Sequence, residues 1–263
     1  MDLGLKNRLA LVSGSTAGIG YSIAAALSRE GARAIVNGRT QDGVDKAVAS
    51  IAASTGNTPL GFAGDLSLAA EAERLAREFP ELEILINNLG IFVPQPFDEI
   101  SDADWQRFFD VNVLSGIRLA RLYLPPMRRK NWGRIIFISS ESAVQIPAEM
   151  IHYGVTKTAM LAVSRGLAET VAGTGITVNC VLPGPTRSRG VDDFISALAK
   201  GSEKTFEQFE KEFFKSVRPT SLIKRFASPE EVASMVAYLS SPVASATTGA
   251  ALRVDGGVIK SAF

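Results

Sequence analysis

The sequence predicts an α/β protein built on a doubly wound, parallel sheet of about seven strands with helices on both faces. Seven short runs of apolar and β-branched residues alternate with longer segments of helical periodicity. The apolar runs are nearly continuous, as expected of parallel strands that are covered on both sides. No linker rich in Ser, Gly or Pro divides the 263 residues. We therefore expect a single domain over residues 1–263.

The elements follow one another regularly along the chain. The predicted strands are RLALVSG, RAIVNG, PLGFAG, LEILINN, GRIIFIS, ITVNCVLPG and AALRVDGG. Helical periodicity occupies Gly20–Arg29, Asp42–Ser54, Leu68–Phe79, Asp102–Tyr123, Tyr153–Val171 and Pro229–Leu239. Each strand–helix–strand unit is expected to cross over in the right-handed sense.

One segment, residues 189–221, interrupts this alternation with two charged helical patterns. In the second pattern Phe206, Phe209, Phe213 and Val217 recur at spacings of three and four, which predicts an amphipathic helix with an aromatic stripe. Such a helix either packs on its own domain or acts as a lid that excludes water from a substrate. We interpret the segment as a helical lid insertion.

Composition excludes several classes of protein. Lys and Arg number 28 against 27 Asp and Glu, which does not favour a nucleic-acid or anionic-membrane partner. No apolar run approaches the roughly 18 residues that span a bilayer, and MDLGLKNR lacks the apolar core of a signal peptide, so a cytoplasmic protein is expected. The single cysteine, Cys180, lies in an apolar run and is expected to be a buried thiol. No metal site is predicted.

The stretch SGSTAGIG, directly after the first strand, has the features of a phosphate-binding turn. Its glycines, Gly14, Gly18 and Gly20, allow a tight turn and close approach of the backbone to a pyrophosphate at a helix N-terminus. Ser15 and Thr16 offer hydroxyl donors, and Ile19 lies between the last two glycines. A purely structural turn is the alternative. The stretch is not a Walker A loop, because no Gly-Lys-Ser/Thr follows.

The end of the second strand bears on the choice of nucleotide. An acidic residue there would accept from the 2′-hydroxyl of NAD, but the run reads Asn37, Gly38, Arg39. An arginine binds a phosphate through two parallel hydrogen bonds. The sequence therefore favours NADP(H), with NAD(H) as the alternative.

A catalytic set is suggested by YGVTK, in which Tyr153 and Lys157 lie on one face of a helix. A nearby ammonium group favours the phenolate form of tyrosine, which is otherwise a poor base at neutral pH. Ser140 ends the strand IIFISS, and its hydroxyl is suited to hold a carbonyl or alcohol oxygen beside Tyr153.

Together these motifs resemble the short-chain dehydrogenase/reductase family, over nearly the whole chain. The matching stretches, in order, are SGSTAGIG, GDL, NNLG, VNVLSG, ISS, YGVTK, LPGPTRS and LRVDGG. The resemblance implies a Rossmann-type fold and an NAD(P)-dependent oxidoreductase that interconverts an alcohol and a carbonyl group. It also implies a homo-oligomer, either a tetramer or a dimer.

The resemblance assigns roles to individual residues. It makes Ser140 the group that positions the substrate oxygen, Tyr153 the general acid/base, and Lys157 the residue that lowers the pKa of Tyr153 and holds the nicotinamide ribose. Asn112 would anchor a water in a proton relay. The residues implied in cofactor binding are Asp65 and Leu66 beside the adenine, Asn88 and Gly90 along the cofactor, and Pro183, Gly184 and Thr186 or Ser188 at the carboxamide. Ser13 and Leu89 are mild departures from the family pattern.

The substrate is expected beside a group of polar residues. These are Glu141, Gln145, His152, Arg187 and Arg189, together with Glu149, for which a solvated loop position is the alternative. They favour a small polar substrate, either sugar-like or a hydroxy or keto acid. Apolar ketones, 3-oxoacyl thioesters and a catalytically silent dinucleotide-binding regulator remain alternatives. For His152, adjacent to Tyr153, a position at the surface or an interface is expected over a catalytic one.

Overall fold

A computed structural model describes residues 2–187 and 205–262. Seven parallel strands form one sheet in the order β3-β2-β1-β4-β5-β6-β7, as the sequence predicts. Their bounds are β1 Leu9–Val12, β2 Arg33–Gly38, β3 Leu60–Ala63, β4 Ile84–Asn87, β5 Gly133–Ile138, β6 Ile176–Pro183 and β7 Ala251–Val254.

Helices cover the sheet and connect its strands. In the described part of the chain they are α1 Gly18–Arg29, α2 Gln41–Thr55, α3 Ala69–Glu78, α4 Asp102–Phe109, α5 Ser115–Lys130, α6 Ile151–Thr170, α7 Phe206–Ser216 and α8 Pro229–Ser240. Several of them begin at side-chain caps. Ser101, Thr205 and Ser228 each accept from a backbone N–H three residues ahead, which satisfies an otherwise unpaired donor of the first turn.

The sheet has a separate hydrophobic core on each face. Leu11, Ile35 and Leu85 point to one core, whereas Val12, Val36 and Ile86 point to the other, and all six are fully buried. Because neighbouring residues of a strand point to opposite faces, a sheet covered on both sides needs apolar residues at every position. This requirement explains the nearly continuous apolar runs.

The strand order reverses between β1 and β4, which positions the site. The chain builds β1, β2 and β3 toward one edge, then returns to pair β4 with β1 and continues toward the other edge. At such a reversal the loops after neighbouring strands diverge and leave a crevice at the carboxyl ends of the strands. The loops after β1, β4, β5 and β6 all open at this end.

The predicted helix over Asp102–Tyr123 differs from the observed structure. A π-helical turn, Asp110–Leu114, separates α4 from α5, and α5 continues to Lys130 through Pro125 and Pro126. A π turn has one extra residue, which a regular 3.6-residue pattern does not reveal. The aromatic helix forms as predicted, over Phe206–Ser216, whereas residues 189–204 of the expected lid lie outside the described residues.

Two further expectations concern the described residues. Cys180 is buried at the centre of β6, where burial raises the pKa of its thiol to about 12. Within residues 2–187 and 205–262, every helix is too short or too polar to span a bilayer.

Candidate active site

The loop between β1 and α1 forms an open cradle of backbone N–H groups. Gly14 and Gly18 have positive φ angles of 62° and 57°, which side chains disfavour. A Cβ on Gly20 would lie 2.5 Å from both Asn88 Nδ2 and the Gly14 carbonyl, so no side chain fits there. The residue before α1, Ala17, provides no side-chain cap. The first N–H groups of α1 therefore remain available to an anion such as a pyrophosphate.

Ser15 does not contribute its hydroxyl to this cradle. Its side chain is fully buried, donates to the Val12 carbonyl at 2.6 Å and accepts from the Asn37 N–H at 2.9 Å. The expectation of a Ser15 hydroxyl donor is therefore wrong, because this hydroxyl joins β1 to β2. Thr16 packs against Gly38, where a Cβ would lie 2.4 Å from its methyl carbon.

Asn37 and Arg39, at the carboxyl end of β2, differ in their contacts with the rest of the protein. Asn37 is buried, accepts from the Gly14 N–H at 3.0 Å and donates to the carbonyls of Phe62 and Gly64. It thereby connects the loops that follow β1, β2 and β3. Arg39, two residues later, is exposed and makes no hydrogen bond or ion pair with the described residues.

The next predicted cofactor residues border the same crevice. Asp65 accepts from the backbone and hydroxyl of Ser67, whereas the Leu66 side chain is buried in the core and leaves only its backbone to contact a ligand. Asn88 donates to the carbonyls of Ser13 and Gly14, which fixes the loop after β4 to the cradle. A Cβ on Gly90 would lie 3.5 Å from Lys157 Nζ.

The loop after β6 forms the opposite wall. Pro183, Gly184 and Thr186 line the cavity described below, and Thr186 donates to the Gly184 carbonyl at 2.9 Å. A Cβ on Gly184 would lie 2.6 Å from the Asp255 carbonyl, so the close contact with the loop after β7 requires glycine. Ser188, the other hydroxyl considered for the carboxamide, lies outside the described residues.

Tyr153 and Lys157 come together on the first turns of α6. Lys157 Nζ lies 5.5 Å from the centre of the Tyr153 ring and donates to the Ile138 carbonyl at 2.9 Å. Burial lowers the pKa of Lys157 to about 8. Burial also raises the pKa of Tyr153, as does the negative charge of Glu141. The isolated protein therefore holds Tyr153 as a neutral phenol.

Ser140 is positioned by its neighbours at the end of β5. Its hydroxyl accepts from the Ser142 N–H at 3.1 Å and donates to Glu141 Oε2 at 2.5 Å. The adjacent Ser139 donates to the Lys157 carbonyl at 2.8 Å, which fixes the strand end to α6. These contacts keep Ser140, Tyr153 and Lys157 on one side of the cavity.

Asn112 lies in the π turn, and its amide connects two elements of the site. It accepts from the Ile91 N–H at 2.8 Å and donates to the Ile91 carbonyl and to Thr156 Oγ1, each at 3.0 Å. Both amide hydrogens are therefore committed to protein partners. The contacts hold the loop after β4, and with it Gly90, against α6 beside Lys157.

A cavity of about 890 Å³ joins these parts. Ile19, Asn88 and Gly184 line the end near the cradle, and Ser140, Tyr153 and Lys157 line the middle. The far end is mostly apolar and is closed by the aromatic face of α7. Its described lining residues include Phe92, Met150, Phe209, Phe213, Val217 and Phe226. The described residues contain no group of His, Cys, Asp and Glu that could hold a metal ion.

Of the predicted substrate residues that are described, Glu141 and Glu149 line this cavity. Gln145 is exposed on the loop between β5 and α6. The guanidinium of Arg187 stacks over the Phe206 ring, 4.4 Å from its centre. His152 is completely buried against Phe108, with 4.0 Å between ring centres, so the expectation of a surface position is wrong. The helix turns its side chain away from Tyr153 and into the space between α4 and α6. Arg189 lies outside the described residues.

The sequence analysis missed Arg218 as a ligand-facing residue. Arg218 lies two residues after the end of α7, lines the cavity and donates hydrogen bonds to both Glu141 and Glu149. The sequence did contain a signal, because Arg218 directly follows the helical stripe that ends at Phe213 and Val217 and lines the cavity. Its carboxylate partners lie 77 and 69 residues earlier in the chain, so no local pattern connects them.

Comparisons with known proteins agree with this architecture. A family model described as enoyl-(acyl carrier protein) reductase matches residues 14–259. An uncharacterized oxidoreductase of Bacillus subtilis, YvaG, is 46% identical over 264 residues and the match covers both chains completely. D-beta-hydroxybutyrate dehydrogenase of Cupriavidus necator is 33% identical, over 96% of this chain and 98% of its own.

A solved structure is similar as well. L-sorbose reductase from Gluconobacter frateurii, in complex with NADPH and L-sorbose, superposes with a TM-score of 0.93 at 32% identity, covering 99% of this chain and 100% of its own. With such relatives over its full length, the protein is an oxidoreductase that acts on CH–OH groups. The chain therefore belongs to the short-chain dehydrogenase/reductase family.

Proposed function

We propose that the protein interconverts an alcohol and a carbonyl group of a small polar molecule with NADP(H). The observation that carries this proposal is the continuity of one cavity from the cradle at Ile19 to Tyr153 and on to Glu141. A dinucleotide held by the cradle would extend past Lys157, and a substrate would occupy the far end. The cofactor, when bound, supplies or accepts the hydride at the reacting carbon.

The chain's own residues would manage the oxygen and its proton. The Ser140 hydroxyl turns from Glu141 to the substrate, and Ser140 and Tyr153 then hold the substrate oxygen between them. In reduction the Tyr153 phenol donates its proton to that oxygen, and in oxidation it takes the proton back. Lys157 keeps a positive charge beside the tyrosine, which favours the phenolate formed after proton donation.

Tyr153→Phe tests this assignment. Removing the hydroxyl should leave NADPH binding close to wild type, measured by nucleotide fluorescence, and lower turnover by at least about a thousandfold, since general acid–base catalysis typically contributes factors of this order. The matched control is Tyr238→Phe, on α8, whose tyrosine is partly exposed and does not line the cavity. Near-normal turnover in Tyr153→Phe would reject the role of Tyr153.

The preference for NADP(H) rests on the end of β2. Gly38 has no room for an acidic side chain beside Thr16, and the guanidinium of Arg39 has no partner among the described residues. A 2′-phosphate would provide that partner. L-sorbose reductase, which the chain resembles, was solved with NADPH.

Arg39→Ala tests the preference. We expect its KM for NADPH to rise about 10- to 100-fold, from the loss of one arginine–phosphate contact, with little change for NADH. Arg33→Ala, an exposed arginine at the start of the same strand, is the control. A preference for NADH in the wild type, unaltered by Arg39→Ala, would reject the proposal.

Relatives of this chain differ in the kind of polar substrate that their names give. The relatives at 32–33% identity carry the names of a neutral sugar and of a hydroxycarboxylate, so the family likeness alone does not decide its charge.

A further inference from the structure

Three charged side chains form a cluster at the substrate end of the cavity. Arg218 Nε donates to Glu141 Oε1 at 3.3 Å, and its Nη1 donates to Glu149 Oε1 at 3.3 Å. The second oxygen of Glu141 accepts the Ser140 hydroxyl. The charged cluster, Glu141, Arg218 and Glu149, therefore begins one hydrogen bond away from the residue that would hold the reacting oxygen.

Some hydrogen-bonding groups of the cluster have no partner among the described residues. The Glu141 side chain is 7% exposed, and each of its oxygens has a partner. Arg218 is 11% exposed, and its Nη2 has no acceptor among the described residues. Glu149 is 48% exposed, and its Oε2 has no donor there. The Nη2 amino group of Arg218 and one carboxylate oxygen of Glu149 therefore have no protein partner among the described residues.

The charge of the cluster restricts what can bind to it. Two carboxylates and one guanidinium carry a net charge of −1, and Arg218 is already paired on both sides. A substrate carboxylate would meet this negative charge in a partly buried site, where like charges repel more strongly than in water. The cluster therefore disfavours hydroxy and keto acids.

An apolar substrate fits the cluster no better. Packing a hydrocarbon chain against Arg218 would remove water from Nη2 and leave its N–H groups without an acceptor, which is costly. A neutral molecule with hydroxyl groups satisfies both open positions, because a hydroxyl oxygen accepts from Nη2 and a hydroxyl hydrogen donates to Glu149. The apolar wall of α7 then covers the carbon skeleton.

We propose, building on the function proposed above, that Glu141, Arg218 and Glu149 determine specificity and select a neutral hydroxylated carbonyl compound over a carboxylate. Glu149 contributes an acceptor and the excess negative charge, and Arg218 contributes a donor. Glu141 holds Arg218 in place and joins it to Ser140.

Two matched pairs of carbonyl compounds test this proposal with NADPH. L-sorbose and 5-keto-D-gluconate differ in one terminal carbon, an alcohol in the first and a carboxylate in the second. Methyl acetoacetate and acetoacetate differ in the same charge on a shorter skeleton. For every pair that is turned over, we expect kcat/KM of the neutral member to exceed that of the anion by about tenfold or more.

Variants separate the local charge from the total charge of the protein. Glu149→Gln keeps the shape and an acceptor oxygen but neutralises the cluster, so the preference for the neutral member should fall at least about threefold. Glu73→Gln removes one exposed carboxylate of α3, away from the cavity, and should leave the preference unchanged. Because Glu149 is half-exposed, this substitution carries little risk for folding.

The outcomes distinguish this proposal from the general function. An anion used as well as its neutral partner, or a preference that Glu149→Gln does not alter, would overturn the inference. Reduction of an apolar ketone such as cyclohexanone, together with no turnover of either pair, would also overturn the inference. The proposed reductase function would stand in that case. If no carbonyl compound supported the oxidation of NADPH, the proposed function itself would be rejected.

Discussion

Lys157 offers a test in which stability and activity move in opposite directions. Its ammonium group is buried, donates to the Ile138 carbonyl, and has no carboxylate partner among the described residues. We predict that Lys157→Met removes activity but raises the free energy of unfolding at neutral pH. The methionine side chain has a similar length and needs no hydration.

The size of the effect follows from the pKa of Lys157. Folding lowers it from 10.5 to about 8, and each tenfold change in proton affinity corresponds to about 1.4 kcal/mol. Keeping the charged form in the fold therefore costs about 3 kcal/mol. Loss of the hydrogen bond to Ile138, which the charged group donates, offsets about 2 kcal/mol. We expect Lys157→Met to be more stable by about 1 kcal/mol at pH 7.

The pH dependence of this difference has a defined sign. Below pH 8 the lysine is charged in both states, so the full cost is present. Between pH 8 and 10.5 the unfolded chain binds a proton that the folded protein has released, so the wild type gains stability as the pH rises. The advantage of Lys157→Met should therefore shrink through this window and vanish above it.

Urea unfolding without nucleotide, at one protein concentration and several values of pH from 7 to 10.5, measures the difference. Lys260→Met is the control, since Lys260 is exposed and its substitution should give a small difference without this pH dependence. A variant less stable than the wild type at pH 7, or a difference that is constant from pH 7 to 10.5, would refute the reasoning.

Two further substitutions address buried polar side chains. His152→Leu should stabilise the protein by about 1–2 kcal/mol and leave the substrate KM unchanged, because both ring nitrogens are buried and have no hydrogen-bond partner among the described residues. Burial lowers the pKa of His152, so the wild type alone should lose stability as the pH falls below 6.5 and the unfolded histidine binds a proton. Arg134→Met should cost about 2–4 kcal/mol in urea unfolding, because the hydrogen bonds of Arg134 to the carbonyls of Gly133, Gly175 and Ser241 outweigh the cost of its burial, which lowers the pKa of Arg134 to about 10. A higher KM in His152→Leu, or an unchanged urea midpoint in Arg134→Met, would contradict these expectations.

The elements that the sequence predicted correctly depend on local or periodic signals. All seven strands form where apolar runs were identified, because a doubly covered sheet requires such runs whatever surrounds them. The cradle was recognisable for a similar reason, since glycines in a turn directly after a strand leave few alternatives. Tyr153 and Lys157 are also neighbours in sequence, and a helix necessarily brings them to one face.

The incorrect expectations concern side chains whose partners are distant in sequence. Ser15 was expected to face a ligand, but its hydroxyl joins β1 to β2 through Asn37, which lies 22 residues away. His152 was expected at the surface or an interface, and away from the catalytic centre, because adjacent helix residues point apart. Trp105 and Phe108, which pack on its ring, lie far earlier in the chain. Arg218 was missed because its importance depends on Glu141 and Glu149, which only the folded chain brings near it.

The π turn at Asp110–Leu114 has a consequence for how this chain tolerates changes in length. One extra residue rotates everything that follows by about 100° around the helix axis, so α4 and α5 present differently phased faces although their backbones are continuous. Deleting a single residue here would produce a more regular helix. The same deletion would swing Leu119 and Tyr123 out of the core and would release Asn112 from Ile91. This stretch should therefore accept changes of residue far more readily than the loss or gain of one.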